Sequence, residues 1–160
     1  RDRQRAVQVQ SEQAGTPYGI QRDGVVASPL GAPCTPPPWG TLTGIDLVTG
    51  EVLWNVPLGT IEDLSPLPLP IRLGTPNLGG PIVTAGGIVF IGAAADDYLR
   101  AFDLETGEEL WKGRLPAGGQ ATPMTYRLEG GEQHVVIAAG GHGGLGTTLG
   151  DYVVAFTLGR

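Results

Sequence analysis

Two stretches of the chain repeat each other at an offset of 57 residues, and this repeat constrains the fold more than any other feature. Residues 44–54 read GIDLVTGEVLW and residues 101–111 read AFDLETGEELW, with seven of eleven positions identical. Such a repeat indicates one supersecondary unit used more than once. Each copy predicts a strand, a tight turn built on Asp, Thr and Gly, and a second strand that ends in tryptophan. This pattern is typical of a β-propeller blade whose tryptophan docks on the next blade.

The composition favours an all-β protein and excludes several functions. Glycine and proline make up about a quarter of the 160 residues and punctuate short runs rich in Val and Ile, while 41% of the residues are apolar. The formal charge of -6 argues against a nucleic-acid partner. The single cysteine, Cys34, excludes a disulfide within the chain and a cysteine-based zinc site. The longest uncharged stretch, residues 73–95, contains prolines and glycines and predicts a hairpin rather than a membrane span.

The clearest blade lies in the middle of the chain. Four strands are predicted at residues 81–85, 88–93, 98–102 and 108–112, joined by short turns of which Gly86-Gly87 is the strongest hairpin signal. Residues 24–28 and 134–138 stand where the second of these strands stands. The flanking segments fit the same template less completely, and the last one lacks a fourth strand.

We therefore predict a β-propeller fragment of two to three four-stranded antiparallel blades with Trp-docking repeats. It forms a single partial domain over residues 1–160, in which residues 1–14 are poorly ordered. The blade-like units cover about residues 15–58, 74–115 and 120–158. A few blades cannot close a ring, so their terminal faces expose apolar surface. We expect the chain by itself to self-associate, and the remaining blades of a longer parent chain to be its natural partners.

Few residues suggest chemistry directly. Residues 141–146 match G-x-G-x-x-G, but the dinucleotide reading also needs a helix after the motif, and a β-branched strand follows instead. His142 in this loop is either an exposed loop residue or a ligand contact. Asp96 and Asp97 are either a turn or a carboxylate pair, and the turn is favoured because adjacent strand residues point to opposite faces. His134 falls within an apolar strand pattern and predicts no chemistry.

Six segments go beyond the repeat, and together they carry a family resemblance. They read GTPYG, PCTPPPWGTL, GTPNLGGP, YLRAF, RLPAGGQATPMTY and AGGHGG, at residues 15–19, 33–42, 74–81, 98–102, 114–126 and 139–144. The chain from about residue 15 onward resembles the C-terminal part of the membrane-bound pyrroloquinoline-quinone (PQQ) dehydrogenases, the group that oxidises glucose, quinate and polyols. These motifs lie in loops that a bare propeller repeat does not require.

The resemblance implies an intact enzyme with an eight-bladed propeller, PQQ in its central funnel and a Ca²⁺ or Mg²⁺ ion beside the cofactor. It implies a location at the periplasmic face of the bacterial inner membrane, although this chain carries no membrane segment. A sugar or polyol alcohol is the implied substrate and ubiquinone the electron acceptor. In the chemistry that the resemblance implies, the substrate hydroxyl loses its proton to a carboxylate, and hydride passes to the quinone.

Residue by residue, the resemblance places His142, with the adjacent Gly141, at the cofactor site. The Asn77–Gly80 turn, with Asn77 and Gly79, stands where related proteins approach the cofactor. No catalytic residue is certain, and Asp96 is the one candidate, because it matches an acid near the cofactor and the electron exit. No metal ligand is assigned, since the general base and the principal metal ligands match nothing in this chain. The isolated chain is therefore expected to be inactive.

A second hypothesis is a cofactor-free propeller scaffold of the outer-membrane assembly type. A scaffold needs the repeat, but it does not need the loops at residues 118–126 and 140–144. These loops favour the enzyme. A truncated product with only a structural role is a third possibility that the sequence leaves open.

Overall fold

The structure is a computed structural model that describes residues 9–22, 28, 33–64 and 70–157. The backbone divides into two compact units, Arg1–Pro36 and Pro37–Arg160. In the first unit, β1 (Val9–Glu12) pairs antiparallel with β2 (Gly19–Arg22). Strand β1 lies in the segment predicted to be poorly ordered, and its pairing with β2 supplies the backbone hydrogen bonds that hold it.

The described residues of the second unit form three antiparallel sheets, which confirms the predicted all-β class. The first sheet pairs β3 (Thr41–Ile45) with β4 (Val52–Pro57). The second has the order β5-β6-β7-β8, formed by Ile82–Val83, Ile88–Ile91, Tyr98–Asp103 and Glu109–Arg114. The third has the order β11-β10-β9, from Tyr152–Thr157, Gln133–Ala139 and Met124–Arg127. A short 3-10 turn, Gly143–Leu145, lies between β10 and β11.

The four-stranded sheet is the middle blade that the sequence predicts, with its turns at the expected glycines. The predicted strand at residues 24–28 lies outside the described residues except for Ser28, which is not in a strand. The predicted first unit, residues 15–58, includes parts of both compact units. The predicted unit boundaries therefore stay a prediction.

The repeat extends to details of the backbone that the sequence alone does not show. Asp46 accepts hydrogen bonds from the amides of Val48 and Thr49, at 2.7 and 3.1 Å, and Asp103 accepts the equivalent bonds from Glu105 and Thr106, at 2.9 and 2.8 Å. Both hairpins also carry a register shift at the same repeat position, after Gly44 and after Ala101. The repeat is thus one hairpin geometry built twice, with the same bulge.

Trp54 connects the β3–β4 hairpin to the four-stranded sheet. Its indole Nε1 donates a 2.9 Å hydrogen bond to the Leu104 carbonyl, and its ring lies over Gly107, where an added Cβ would sit 2.6 Å from the ring. Trp111, the repeat partner of Trp54, makes an edge-to-face contact with Phe156 at a centroid distance of 5.0 Å. Each tryptophan therefore docks on the next sheet along the chain, as predicted.

The core consists of two apolar clusters, one on each side of the four-stranded sheet. Leu58 belongs to the first cluster, with Val89, Ile91 and Phe102, and is 1% exposed. Leu115, the residue 57 positions later, belongs to the second cluster, which also contains Leu99, Val135 and Ile137. The four-stranded sheet is thus covered on both faces. None of the described residues belongs to a helix with the length and hydropathy needed to cross a bilayer.

Gly107 and Gly50 give a matched pair for testing the tryptophan dock. Both are repeat-equivalent turn glycines, with φ of +72° and +75°, but an added Cβ at Gly50 meets no atom within 4 Å. We expect Gly50→Ala to cost about 1–2 kcal/mol of unfolding free energy, the penalty of a left-handed backbone. Gly107→Ala should cost roughly 1–3 kcal/mol more, because its methyl group collides with Trp54. Urea denaturation of the chain measures both, and equal losses would contradict the dock.

Candidate functional site

Loops from neighbouring sheets interlock at one edge of the second unit. Their backbones are joined directly: the Leu78 amide donates to the Ala93 carbonyl at 2.9 Å, and the Ala93 amide donates to Gly119 at 2.7 Å. Gly141 donates to Gly118 at 2.9 Å. These bonds connect loops at residues 75–81, 92–97, 115–123 and 140–151. Because antiparallel neighbours turn at a common edge, loops far apart in sequence meet there.

Ala93, at this edge, has a backbone conformation that is unfavourable for alanine. Its φ is +54°, and it is the one non-glycine with positive φ among the residues that the structure describes. A left-handed alanine is strained, and such strain persists only where the surroundings determine the conformation. The hydrogen bonds at its amide and carbonyl supply that determination. Strained backbone of this kind often accompanies functional sites.

Gln120 is the side chain that holds this edge together. Its Nε2 donates a 2.8 Å hydrogen bond to the Ala94 carbonyl, and its Oε1 accepts a 3.0 Å bond from the Thr147 hydroxyl. The same hydroxyl accepts a 2.8 Å bond from the amide of His142. One half-buried amide therefore links the 92–97 loop to the loop that carries His142.

The four residues that the resemblance places near the cofactor lie around Gln120. Asn77 forms an isolated β-bridge with Ala94, whose carbonyl Gln120 binds. An added Cβ at Gly79 would lie 2.7 Å from the Gln120 carbonyl oxygen. Gly141 is followed by His142, whose amide is bonded to the Thr147 hydroxyl. The structure thus brings Asn77, Gly79, Gly141 and His142 to one edge, although their cofactor role stays a prediction.

The side chains of Asn77 and His142 are exposed at this edge. The His142 ring lies over Gly144, where an added Cβ would be 3.0 Å from its Cε1 atom. A Cβ at Gly143 or Gly146 would meet no atom within 4 Å, so the loop is open at these two positions. A ligand can therefore approach the imidazole and the backbone of this loop closely.

Asp96 is buried and fully engaged in an ion pair. Arg100 donates to its Oδ1 at 2.7 Å and to its Oδ2 at 2.6 Å, and the amide and hydroxyl of Thr60 also donate to Oδ2, at 2.7 and 3.0 Å. Glu109 binds the other side of the guanidinium at 3.3 Å. Burial alone would lower the pKa of Arg100, but these carboxylates raise it overall. Asp96 is 0% exposed, and these contacts show a structural role for it within the fold. Its catalytic role stays a prediction.

Asp97 has different hydrogen-bond partners from Asp96, and its ionised form is the one that burial disfavours. Its Oδ2 accepts a 2.7 Å hydrogen bond from the Thr148 hydroxyl, but its Oδ1 is buried and accepts none from the described part of the chain. Burial raises the pKa of Asp97, and the neighbouring carboxylates of Asp63 and Asp96 add to this effect. Together they outweigh the opposing influence of Thr148 and Arg114.

Asp63 shows the opposite balance. Burial alone would raise its pKa, but two hydrogen bonds from Arg114, at 2.9 and 2.6 Å, and one from the Asp97 amide lower it overall. This pair fastens the segment after β4 to the end of β8. Across the described ranges, no three His, Cys, Asp or Glu side chains converge in a way that could hold a metal ion.

Sequence reasoning missed Gln120 and Thr147 as individual residues. The loop at residues 114–126 was recognised only as a whole. The available signal was a single glutamine between Gly118-Gly119 and Ala-Thr-Pro, a polar side chain where the backbone on both sides is closely packed. A half-buried amide in such a place needs partners, but their identity depends on loops 26 and 27 residues away.

Comparison with known proteins identifies one family. Residues 1–135 match the family described as PQQ: glucose/ethanol/alcohol dehydrogenase, β-propeller domain. Quinoprotein glucose dehydrogenase of Escherichia coli (strain K12) is 53% identical over 150 residues, which cover 91% of this chain and 19% of that protein. Quinate/shikimate dehydrogenase (quinone) of Acinetobacter baylyi is 48% identical over 149 residues, or 90% of this chain and 18% of that protein. The chain thus spans about a fifth of the length of these relatives.

A solved structure supports the propeller architecture. The crystal structure of quinohemoprotein alcohol dehydrogenase from Comamonas testosteroni superposes with a TM-score of 0.54 at 26% sequence identity. The match covers 79% of this chain and 17% of that protein. The predicted fold, a fragment of a β-propeller, is confirmed.

Asp97 gives a pH-dependent prediction. Its pKa is higher in the folded than in the unfolded chain, so the free energy of unfolding falls as pH rises through the interval between the two pKa values. Asp97→Asn removes this loss. We expect the unfolding temperature of the variant, minus that of the wild type, to increase between about pH 4 and about pH 7.

Asp103 is the matched control for this measurement. The amide and hydroxyl of Thr106 lower its pKa, so its ionised form contributes stability that is lost as pH falls. The same difference for Asp103→Asn should therefore decrease as pH rises. Identical pH trends for the two variants would contradict the assignment of Asp97 as a destabilising carboxylate.

Proposed function

Because the chain belongs to the family of PQQ-dependent glucose, ethanol and alcohol dehydrogenase β-propellers, we propose that it supplies one wall of the PQQ site in a quinoprotein dehydrogenase. The observation that carries this proposal is the cluster around Gln120, which gathers the loops bearing Asn77 and His142 at one edge. A propeller that served only as a scaffold would need the Trp54 dock, but it would have no use for this exposed imidazole and amide. The cofactor-free scaffold is therefore the weaker candidate.

The residues at this edge fit part of what PQQ requires. PQQ is a flat, fused-ring quinone that carries several carboxylates, and when bound it accepts hydride from an alcohol. The Asn77 amide and the His142 imidazole are exposed hydrogen-bond donors, and the space beside Gly143 and Gly146 is open. We assign to His142 and Asn77 contacts with oxygen atoms of the cofactor. The closely packed glycines Gly79 and Gly141 allow the loops to approach it.

The family implies a metal ion as well as PQQ, and we propose Ca²⁺ or Mg²⁺ for the intact enzyme. The described residues of this chain offer no cluster to hold it. Asp96 is also unsuited to this role, because Arg100 and Thr60 occupy both of its oxygen atoms. We therefore assign the metal ligands, the general base and the main basic contact with PQQ to other parts of the full-length protein.

We propose a sugar or polyol alcohol as the substrate and ubiquinone as the electron acceptor, at the periplasmic face of the bacterial inner membrane. Relatives named for glucose and for quinate or shikimate match this chain at 53% and 48% identity. Because these two sequence identities are similar, they do not distinguish between the substrates. The loops that shape the substrate pocket are assigned to the remaining blades.

The isolated chain is expected to associate and to lack dehydrogenase activity. Leu53 on the first hairpin is 56% exposed, Val153 on β11 is 76% exposed, and Leu47 at a turn is 95% exposed. Apolar surface of this kind favours association. Light scattering of the purified chain should show oligomers, and PQQ should support no dye reduction. A clean monomer, or PQQ-dependent activity of this chain alone, would contradict the respective expectation.

The role of His142 can be tested in the full-length protein with His134 as a matched control. His134 stacks on Tyr126 within the third sheet, at a centroid distance of 5.1 Å, away from the Gln120 cluster. We expect His142→Ala to weaken PQQ binding roughly 10- to 100-fold, as the loss of a hydrogen bond to a charged ligand does. His134→Ala should change it less than about 3-fold. Titration of the apo-enzyme with PQQ, read by dye reduction with an alcohol panel, measures both. A wild-type protein that gains no activity with PQQ would favour the scaffold.

A further inference from the structure

The loop that carries His142 has little internal structure to fix its position. Glycines occupy residues 141, 143, 144 and 146, and the only regular element is the three-residue 3-10 turn Gly143–Leu145. Glycine-rich backbone has large conformational freedom. An added Cβ at Gly143 or Gly146 would meet no atom within 4 Å, so packing does not fix the backbone at these two positions. The position of His142 therefore depends on the bonds at the base of the loop.

At the base of the loop, the Thr147 hydroxyl is the side-chain group that is hydrogen-bonded to His142. It is 7% exposed, accepts the His142 amide at 2.8 Å and donates to Gln120 Oε1 at 3.0 Å. The His142 carbonyl is a more distant acceptor for its proton, at 3.5 Å. An added Cβ at Gly118 would lie 2.6 Å from this hydroxyl oxygen. The absence of a side chain at Gly118 thus leaves room for the hydroxyl.

Gln120 fixes the other end of this tie. Because Nε2 donates to the Ala94 carbonyl, Oε1 is the atom directed at Thr147. Ala94 is in turn bridged to Asn77. The path from Asn77 through Ala94, Gln120 and Thr147 to His142 therefore connects the backbones of the two residues that carry the exposed donors, through a β-bridge at Asn77 and hydrogen bonds at the other links. We expect a change at any link to alter the distance between Asn77 and His142.

We propose that Thr147 and Gln120 are positioning residues for the cofactor site. The Thr147 hydroxyl holds the His142 amide, and the Gln120 amide locks that hydroxyl to the Ala94 carbonyl, so that His142 and Asn77 are presented together. The inference rests on the proposed function, because it assumes that His142 contacts PQQ. Neither residue touches the cofactor in this scheme.

Isosteric substitutions at Thr147 test the proposal in the full-length apo-protein. Thr147→Val keeps the shape and loses the hydroxyl, whereas Thr147→Ser keeps the hydroxyl. PQQ binding is measured by quenching of tryptophan fluorescence, without turnover. We expect Thr147→Val to raise the dissociation constant for PQQ roughly 3- to 10-fold, the effect of one lost hydrogen bond. Thr147→Ser should stay within about 2-fold of the wild type.

Thr148→Val is the control for general damage to the loop. Thr148 donates to Asp97 at 2.7 Å, so this variant breaks a neighbouring tie that does not involve His142 or Gln120. We expect it to lower the unfolding temperature and to leave PQQ binding within about 2-fold of the wild type. If Thr147→Val does not fold, Gln120→Met replaces it, because a thioether cannot donate to the Ala94 carbonyl and adds no charge near the anionic cofactor. The expected loss of PQQ affinity is the same.

A double-mutant cycle separates positioning from stability. In a His142→Ala background, Thr147→Val should change PQQ affinity by less than about 2-fold, because the residue that it positions is already gone. The inference is overturned if Thr147→Val binds PQQ like the wild type, if Thr147→Ser is as weak as Thr147→Val, or if the two effects add fully. A wild-type protein that does not bind PQQ overturns the proposed function instead.

Discussion

The stacking of one sheet's apolar face on the next is the interaction on which the rest of this structure depends. The four-stranded sheet is covered on both faces, by clusters in which Leu58 and Leu115 occupy equivalent positions of the repeat. Burial of such leucine side chains contributes about 1.5–3 kcal/mol each. Trp54 adds a directional element, since its hydrogen bond to Leu104 fixes how far one sheet slides over the next. The relative position of neighbouring sheets therefore determines how their loops meet at the edge.

The loop edge separates charged from neutral interactions. Arg100 and Arg114 are bound by Asp96 and Asp63. The Asp63–Arg114 pair, and the hydrogen bonds from Thr60 to Asp96, fasten the segment after β4 to the four-stranded sheet. A buried pair gains little net stability, but loss of one partner leaves an unpaired charge that costs about 3–5 kcal/mol. Asp96 is therefore committed to the fold. The exposed side of the edge then carries the neutral donors Asn77 and His142.

The sequence predicted the middle blade well because its signals are local. Gly87 and Gly107 adopt the positive φ that their turns require, and Asp103 bonds nearby amides, all within a few residues. The Trp54 dock was also predictable, since a repeat must stack on itself. Resemblance then indicated which loops differ from a bare repeat. It could not show the contacts between those loops.

The parts that escaped prediction depend on bonds between distant segments. Asp96 and Asp97 were correctly interpreted as part of a turn, but their different surroundings depend on Thr60 and Thr148, which lie 36 and 51 residues away. The sequence predicted no role for Gln120 within the 114–126 segment, because its hydrogen-bond partners are 26 and 27 residues distant. The hydrogen-bond partners of these polar side chains are set only when the loops assemble at the edge. The sequence of a single strand and its turn does not identify them.

The charge balance of the edge bears on how the proposed cofactor site must be completed. PQQ is anionic, whereas the chain has a formal charge of -6 and the two arginines nearest to the edge are neutralised by aspartates. Hydrogen bonds from Asn77 and His142 can orient an anion, but they do not offset its charge. The proposed function therefore assigns to other blades the cations needed for tight binding. In that proposal, the wall formed by this chain orients the cofactor, and the affinity arises mainly from the rest of the ring.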